Sequence, residues 1–272
     1  MAIEYAVKYA GKVDERFAIA AKTAEAVNND FEFTGVSTVK VYSVPTVELN
    51  DYALTGLNRY GTPAELQNAA QEMILTQDKA FTFTIDKKSE DDTEGAMEAG
   101  KALRRQIDEV VIPTVDKYRL AVMAEGAGRT ATAAITEANA YASFLDGMNH
   151  LSENGVPAEG RIAFVSPAYY KAIKLDNAFI KAGDLAQDML IKGSLGMVDG
   201  ANIVMVPTSY LPTNTEFILT HSVATVSPVK LESYKIHDNP PGINGKLVEG
   251  RIRYDAFVLN SKAHAIYAHK KA

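Results

Sequence analysis

The residues with the most chemistry within reach are an acidic run, one serine, five histidines and a glycine-rich loop. Ser89, Glu90, Asp91 and Asp92 stand together, with Glu94 close behind. Asp91, Asp92 and Glu94 carry the hard oxygen ligands that hold calcium or magnesium. The same text also reads as a serine cap followed by acidic first-turn residues that complement a helix dipole. No loop of ligand spacing surrounds the run, so the cap is the reading adopted. Ser166 falls between a strand pattern and a helix pattern, where a hydrolase nucleophile would sit. The glycines of a nucleophile elbow are missing and Pro167 follows directly, so Ser166 reads as a helix cap with proline at the first helical position. His150, His221, His237, His264 and His269 are scattered without metal-ligand spacing. His264 and His269 are expected on one strand, on opposite faces, as strand-edge residues. The loop KGSLGMVDG, Lys192 to Gly200, lacks the ending of a phosphate loop and reads as a flexible turn. Lys171, Lys174, Lys181 and Lys192 are interspersed with Asp176, Asp184 and Asp188, which favours a mixed solvated or interfacial face over a nucleic-acid site. These residues predict no catalytic, cofactor-binding or metal site.

Composition narrows the classes further. The 272 residues are 47% hydrophobic and 23% charged, with a net charge of -6. These are ordinary globular values, enough for one large domain or two small ones. The negative balance argues against a protein that grips nucleic acid through phosphate contacts. Cysteine is absent, which excludes disulfides, thiolate catalysis and cysteine-ligated metals. The N-terminal text MAIEYAVKYAGKVDERF lacks the unbroken apolar stretch of a signal peptide. No run approaches the ~18 apolar residues of a membrane helix. The expectation is a soluble protein kept in a cytoplasm.

The elements that would position these residues are clearer than any site. Between Glu94 and Gly126, Leu103, Ile107, Val110 or Val111, Val115, Tyr118 and Val122 recur at steps of three and four. That spacing predicts one amphipathic helix about 50 Å long, with a bend at Pro113. Ahead of it lie a polar arm to about Asn29 and two strand-rich runs, Phe31 to Val44 and Met73 to Ile85, which bracket a polar tip poor in core-forming residues. Behind it the pattern turns α/β. A helix is expected over Thr136 to Leu151, capped by Thr136, with Ala138, Tyr141, Ala142, Leu145 and Met148 on one face. Strands RIAFV (161–165), ANIVMV (201–206) and Phe217 to Val226 follow, with a helix over Ala168 to Leu175. Two further strands lie within Gly245 to Ala268.

Three pieces of text carry a resemblance: LTQDKAFTFTID (Leu75 to Asp86), VIPTVDKYRLAVMA (Val111 to Ala124) and KLVEGRIRYDAFVLNSKAHAIYA (Lys246 to Ala268). In this order they resemble the major capsid (coat) proteins of tailed bacteriophages, with the fold first described for phage Hong Kong 97. The resemblance implies an α+β phage capsid fold: an N-terminal arm (1–30), an extended β-hairpin loop (31–88) and a peripheral domain with the spine helix (89–127). An axial α/β subdomain (128–239) and C-terminal strands returning to the peripheral domain (240–272) complete it. It implies a structural protein and no enzyme, whose main partner is itself, in pentamers and hexamers closed into an icosahedral shell around double-stranded DNA. It further implies a separate scaffolding protein and a portal, weak non-specific contact with packaged DNA, no membrane, and residence in the host cytoplasm before assembly and in the virion after it. Some relatives crosslink through a loop lysine and a neighbour's asparagine. Lys40, Lys79 and Asn260 are the candidates here, without a local motif to support them. Two rivals stand beside this reading: an encapsulin-like nanocompartment shell, and an α/β enzyme with an unrecognised site.

Overall fold

The computed structural model describes residues 21–28, 31, 38–43, 47–63, 65, 69–88, 99–180 and 196–272. The chain divides into two units, one of residues 33–75 and one formed by the rest. The run expected as one strand from Met73 to Ile85 divides at this boundary. Strand β2 (Ala69–Ile74) pairs antiparallel with β1 (Thr38–Ser43) inside the smaller unit, Thr38 facing Ile74. Strand β3 (Gln77–Asp86) belongs to the larger unit and pairs there.

Within the smaller unit the segment 47–63 folds on itself. Ala53 donates its N–H to the Arg59 carbonyl at 3.0 Å, Gly61 to that of Asn58 at 2.9 Å, and the Tyr52 and Tyr60 rings meet edge to face at 5.0 Å. The tip is not the polar one expected: Leu49, Leu54 and Leu57 are 100%, 81% and 96% exposed. Apolar residues are present, but they have no alternation to betray a buried face.

In the larger unit the long helix starts, among the described residues, with α1 (Ala99–Gln106) and ends with α2 (Ile112–Glu125). Between them Ile107–Val111 forms a π-turn, closed by the Ile112 N–H on the Ile107 carbonyl. Residues 94–98 lie outside the described residues. Pro113 has no N–H and its ring would strike the carbonyl four residues back, which costs about 3 kcal/mol in a regular helix interior. One extra residue in the preceding turn relieves that clash. Thr114 then donates its hydroxyl to the Val110 carbonyl at 2.6 Å. Where a bend was expected, the structure has a widened turn, and that turn rotates the buried stripe. Val110 is exposed, Val111 and Ile112 are both buried, and beyond them Leu120 and Met123 are covered while Tyr118 and Val122 are only half-buried.

The helix serves two sheets. Its first half packs Leu103, Ile107, Val111, Ile112 and Val115 against Ile85, Tyr234, Val248, Ile252 and Tyr254. These strand residues belong to a three-stranded sheet in the order β10 (Val229–Asp238), β11 (Gly245–Tyr254), β3. Its second half places Leu120, Met123 and Ala124 in a larger core with Phe144, Phe164, Phe217 and Tyr267. That core lines a six-stranded sheet ordered β4 (Arg129–Thr132), β13 (Tyr267–Lys270), β8 (Thr215–His221), β5 (Arg161–Val165), β7 (Ala201–Met205), β6 (Met197–Val198). A short pair, β9 (Thr225–Val226) with β12 (Phe257–Val258), lies at the crossing. Two chain segments therefore go where the sequence did not send them. Residues 229–238, inside the span expected as axial and not read as a strand, form β10 and pair with β11 beside the helix, and β13 pairs with β4 and β8 in the α/β sheet. Of the C-terminal strands, β11 packs on the first half of the helix, and Val258 of β12 lies against Gly126 at its end.

Helix α3 (Ala140–Glu153) begins four residues after Thr136. Asn139 takes the Thr136 N–H and hydroxyl on its amide oxygen at 2.7 and 3.1 Å, so Thr136 opens a turn before the helix and does not cap it. The buried face is Ala140, Phe144, Gly147, Met148 and Leu151, rotated from the expected one. Helix α4 (Pro167–Leu175) follows β5 as read.

Gly147 gives a direct test of that packing. A methyl group there would lie 2.5 Å from Leu219 Cδ1 and 2.9 Å from Tyr267 Cδ1. Alanine gains about 1 kcal/mol of helix propensity, whereas overpacking a dry core costs about 1–3 kcal/mol. Gly147→Ala should therefore lower the urea midpoint; a raised midpoint would show that the core has room.

Candidate functional site

The candidates for chemistry meet ordinary structural partners, stand exposed, or lie outside the described residues. The last holds for Ser89 to Glu94, Lys181, Asp184, Asp188 and Lys192. Among the described residues no group of three or more His, Asp or Glu could hold a metal ion, and no helix is long and apolar enough to cross a membrane. Ser166 Oγ accepts the Tyr169 N–H at 3.0 Å and donates to Glu216 Oε2 at 2.9 Å, a capping role with no histidine base beside it. His221 accepts the Val223 N–H on Nδ1 at 3.3 Å, so its proton sits on Nε2 and is donated to the Glu159 carbonyl at 2.8 Å. His237 faces Glu249 at 3.2 Å on the three-stranded sheet. His264 and His269 do not share a strand. His264 is in a 3-10 turn (Asn260–Ala265) and His269 in β13, where it is buried and stacked on Phe217 at 5.0 Å. His150 is pushed toward its neutral form, first by burial and then by Arg129, with Glu153 opposing. Lys174 lies over the Tyr170 ring at 4.6 Å. Asp199 and Gly200 make a left-handed turn between β6 and β7. Lys40 pairs with Glu72 at 3.9 Å across β1 and β2, and Lys79 and Asn260 are exposed.

What the structure does assemble is a buried polar junction on one turn of α2. Asp116 is fully buried and Arg119 is 4% exposed. The Asp116 carboxylate accepts the Lys22 N–H at 2.9 Å, the Thr23 N–H at 3.3 Å and the Thr23 hydroxyl at 2.6 Å. Arg119 donates Nη1 to Thr23 Oγ1 at 3.2 Å and Nε to Ser227 Oγ at 2.7 Å. Ser227 in turn donates to the Asp255 carbonyl at 2.8 Å. The Asp255 carboxylate accepts from Thr76 N–H (2.6 Å) and Oγ1 (2.8 Å), Tyr118 OH (2.7 Å) and Ala256 N–H (2.8 Å). A charge moved out of water demands such partners. Burial, with the Asp255 hydrogen bond and charge behind it, holds the Tyr118 hydroxyl above the ordinary tyrosine range. None of this was foreseen from sequence. The available signal is that Asp116 and Arg119 stand four and seven residues after Ile112, on the apolar stripe itself.

Two hollows among the described residues are modest. One is a cleft of about 100 Å³ between the π-turn and the sheet, lined by Phe81, Val110, Val115 and Ile252. The other is an open depression over β10, β11 and β3, where Arg251 is held in a two-pronged pair with Asp78 at 2.9 and 2.6 Å. The architecture is thus two sheets spanned by one helix, with its buried hydrogen bonding directed inward to structure.

The chain belongs to the phage capsid protein family, whose model matches residues 69–268. Among curated proteins none matches in sequence. Solved structures share the fold at low identity. One from Mycobacterium phage Che8 is 18% identical with a TM-score of 0.67, covering 90% of this chain and 89% of that one. The capsid structure of cyanophage P-SCSP1u is 13% identical with a TM-score of 0.66, covering 90% and 85%. A virus-like particle from Pyrococcus furiosus is 11% identical with a TM-score of 0.61, covering 98% and 100%. The mixed helix-and-sheet fold is the phage capsid fold, and the family's role is structural.

Asp116→Ala should lose about 2–4 kcal/mol, because it leaves the Lys22 N–H and the N–H and hydroxyl of Thr23 without their acceptor in a buried site; chemical denaturation measures it, and a loss below about 1 kcal/mol would contradict the junction. Tyr118 adds a pH test. With its folded pKa above the unfolded value of about 10, its contribution is complete below pH ~10 and fades as pH rises through the folded pKa. The stability of Tyr118→Phe should therefore fall less steeply than that of the parent between pH 9 and 11.

Proposed function

We propose that this chain is a major capsid protein that closes, through pentamers and hexamers, into an icosahedral head around double-stranded DNA. The observation that carries the proposal is the exposure of Leu49, Leu54 and Leu57 in a unit that is otherwise hydrogen-bonded to itself. Exposed apolar clusters mark interaction surfaces, and a family built for self-assembly makes a neighbouring copy the natural cover. Burying one leucine contributes about 1.5–3 kcal/mol. Each contact is then weak enough to reverse during assembly, while the closed shell sums many of them.

In this reading the arm is residues 1–30 and the extended loop lies within 33–75; the helix with β3, β10 and β11 forms the peripheral part, and the six-stranded sheet with α3 and α4 the axial part. A separate scaffolding protein and a portal would act beside it. The net charge of -6 suits a container that touches DNA weakly. The subunit would wait in the host cytoplasm and end in the virion.

An encapsulin-like shell is the second reading, favoured by the near-complete mutual coverage with the Pyrococcus furiosus particle. Particles recovered from the native source would hold DNA in the first case and a protein cargo in the second.

Negative-stain electron microscopy with size-exclusion chromatography of the purified chain should find shells, tubes or rings of five and six; a uniform small oligomer, even with crowding agent, would overturn assembly. Leu49→Asp with Leu57→Asp should leave the fold within about 0.5 kcal/mol, since both positions are exposed, yet abolish particles. Particles formed by the double variant would remove the loop from the mechanism.

A further inference from the structure

Residues 21–28 belong to the larger unit, with Ala26 and Val27 in its core; the chain passes to the smaller unit at 33 and returns at 76. Two feet in the larger unit, the segment at Thr23 ahead of that excursion and the return at Thr76, are held by the same device: a buried aspartate that accepts the N–H and the hydroxyl of one threonine. Asp116 holds Thr23 and Asp255 holds Thr76. We infer that Arg119 is a positioning residue that joins these two clasps into one, so that seating either foot favours seating the other.

The direction of the hydrogen bonds supplies the argument. A guanidinium only donates. Thr23 Oγ1 and Ser227 Oγ therefore accept from Arg119, and each directs its own hydrogen away, Thr23 to the Asp116 carboxylate and Ser227 to the Asp255 carbonyl. The result is a continuous chain from Asp116 through Thr23, Arg119 and Ser227 to Asp255, and from there to Thr76. All of its members except Thr76 are buried. The planar fork of Arg119 fixes the spacing of the two hydroxyls. If Thr23 withdraws, a charged donor in a dry site loses an acceptor, and the strain falls on the same guanidinium that holds Ser227, which in turn holds Asp255. Tyr118, beside Arg119 on the helix, grips the other oxygen of Asp255, so one helical turn reaches both clasps. Release of either foot is thereby linked to release of the other. Under the proposed shell reading, the arm and the loop would change state together, and that consequence rests on the reading. The coupling itself belongs to the single subunit.

The test is hydrogen exchange read by mass spectrometry on the full, unassembled chain, following peptides over 22–28 and 76–79. Thr76→Val should speed exchange over 22–28 at least about fivefold, the lower range of a typical coupling. Thr23→Val should speed exchange over 76–79 by the same factor, since linkage is reciprocal. Adding Ser227→Ala should remove the transmitted part in either direction. Thr23→Ser, which keeps the hydroxyl, should restore parental exchange and guards against general loosening. Changes confined to the substituted foot, or unequal factors in the two directions, would overturn the inference. Neither outcome depends on whether particles form.

Discussion

Two full charges are buried on one turn of a helix, and the cost of taking them out of water governs how the larger unit is put together. Asp116 and Arg119 cannot sit in that position unless donors and acceptors come to them. Those partners are the backbone at Lys22 and Thr23 and the hydroxyls of Thr23 and Ser227. Satisfying the charges therefore fixes where residues 22–23 pass over the helix and where the chain turns after β9. From there Ser227 and Tyr118 set Asp255. The two apolar cores lie on either side of this belt, Leu103 to Val115 before it and Leu120 to Ala124 after it.

The π-turn makes that arrangement possible. A single regular helix would present one stripe along its length, whereas this one has to face a three-stranded sheet first and a six-stranded sheet afterwards. The extra residue at Ile107–Val111 shifts the phase, and Pro113 locks it. A defect costing about 3 kcal/mol in isolation is small beside the burial it permits, since Val111, Ile112 and Val115 are each worth roughly 1.5–3 kcal/mol when covered.

Much of this was legible in the sequence. The helix, its proline, the strand RIAFV, the Ser166 cap and the order of elements all follow from local periodicity and turn chemistry. What escaped was non-local. Thr76 splits a run that looks continuous because its partner, Asp255, lies 179 residues away. Strands β10 and β13 carry the pattern of strands but not the address of their sheet. His269 looked like an edge residue because nothing nearby in sequence announces Phe217 beneath it. The apolar tip at Leu49 to Leu57 was missed for the opposite reason: its residues follow no period, because they face no partner within the chain's own regular pairing.

The choice of a polar junction also has a physical rationale in a shell. Well-packed apolar residues at 116 and 119 could stabilise the fold as much or more. Apolar contacts are non-directional, however, and would let the segment at Thr23 slide along the helix with little loss. Directional hydrogen bonds to a planar guanidinium and a fixed carboxylate permit one arrangement. Closed assemblies repeat one contact many times, so a small error in where the arm and the loop depart would recur in every copy. Under the proposed function, the charges at 116 and 119 trade some stability for a fixed geometry at Thr23, ahead of the excursion, and at Thr76, where the chain returns from it.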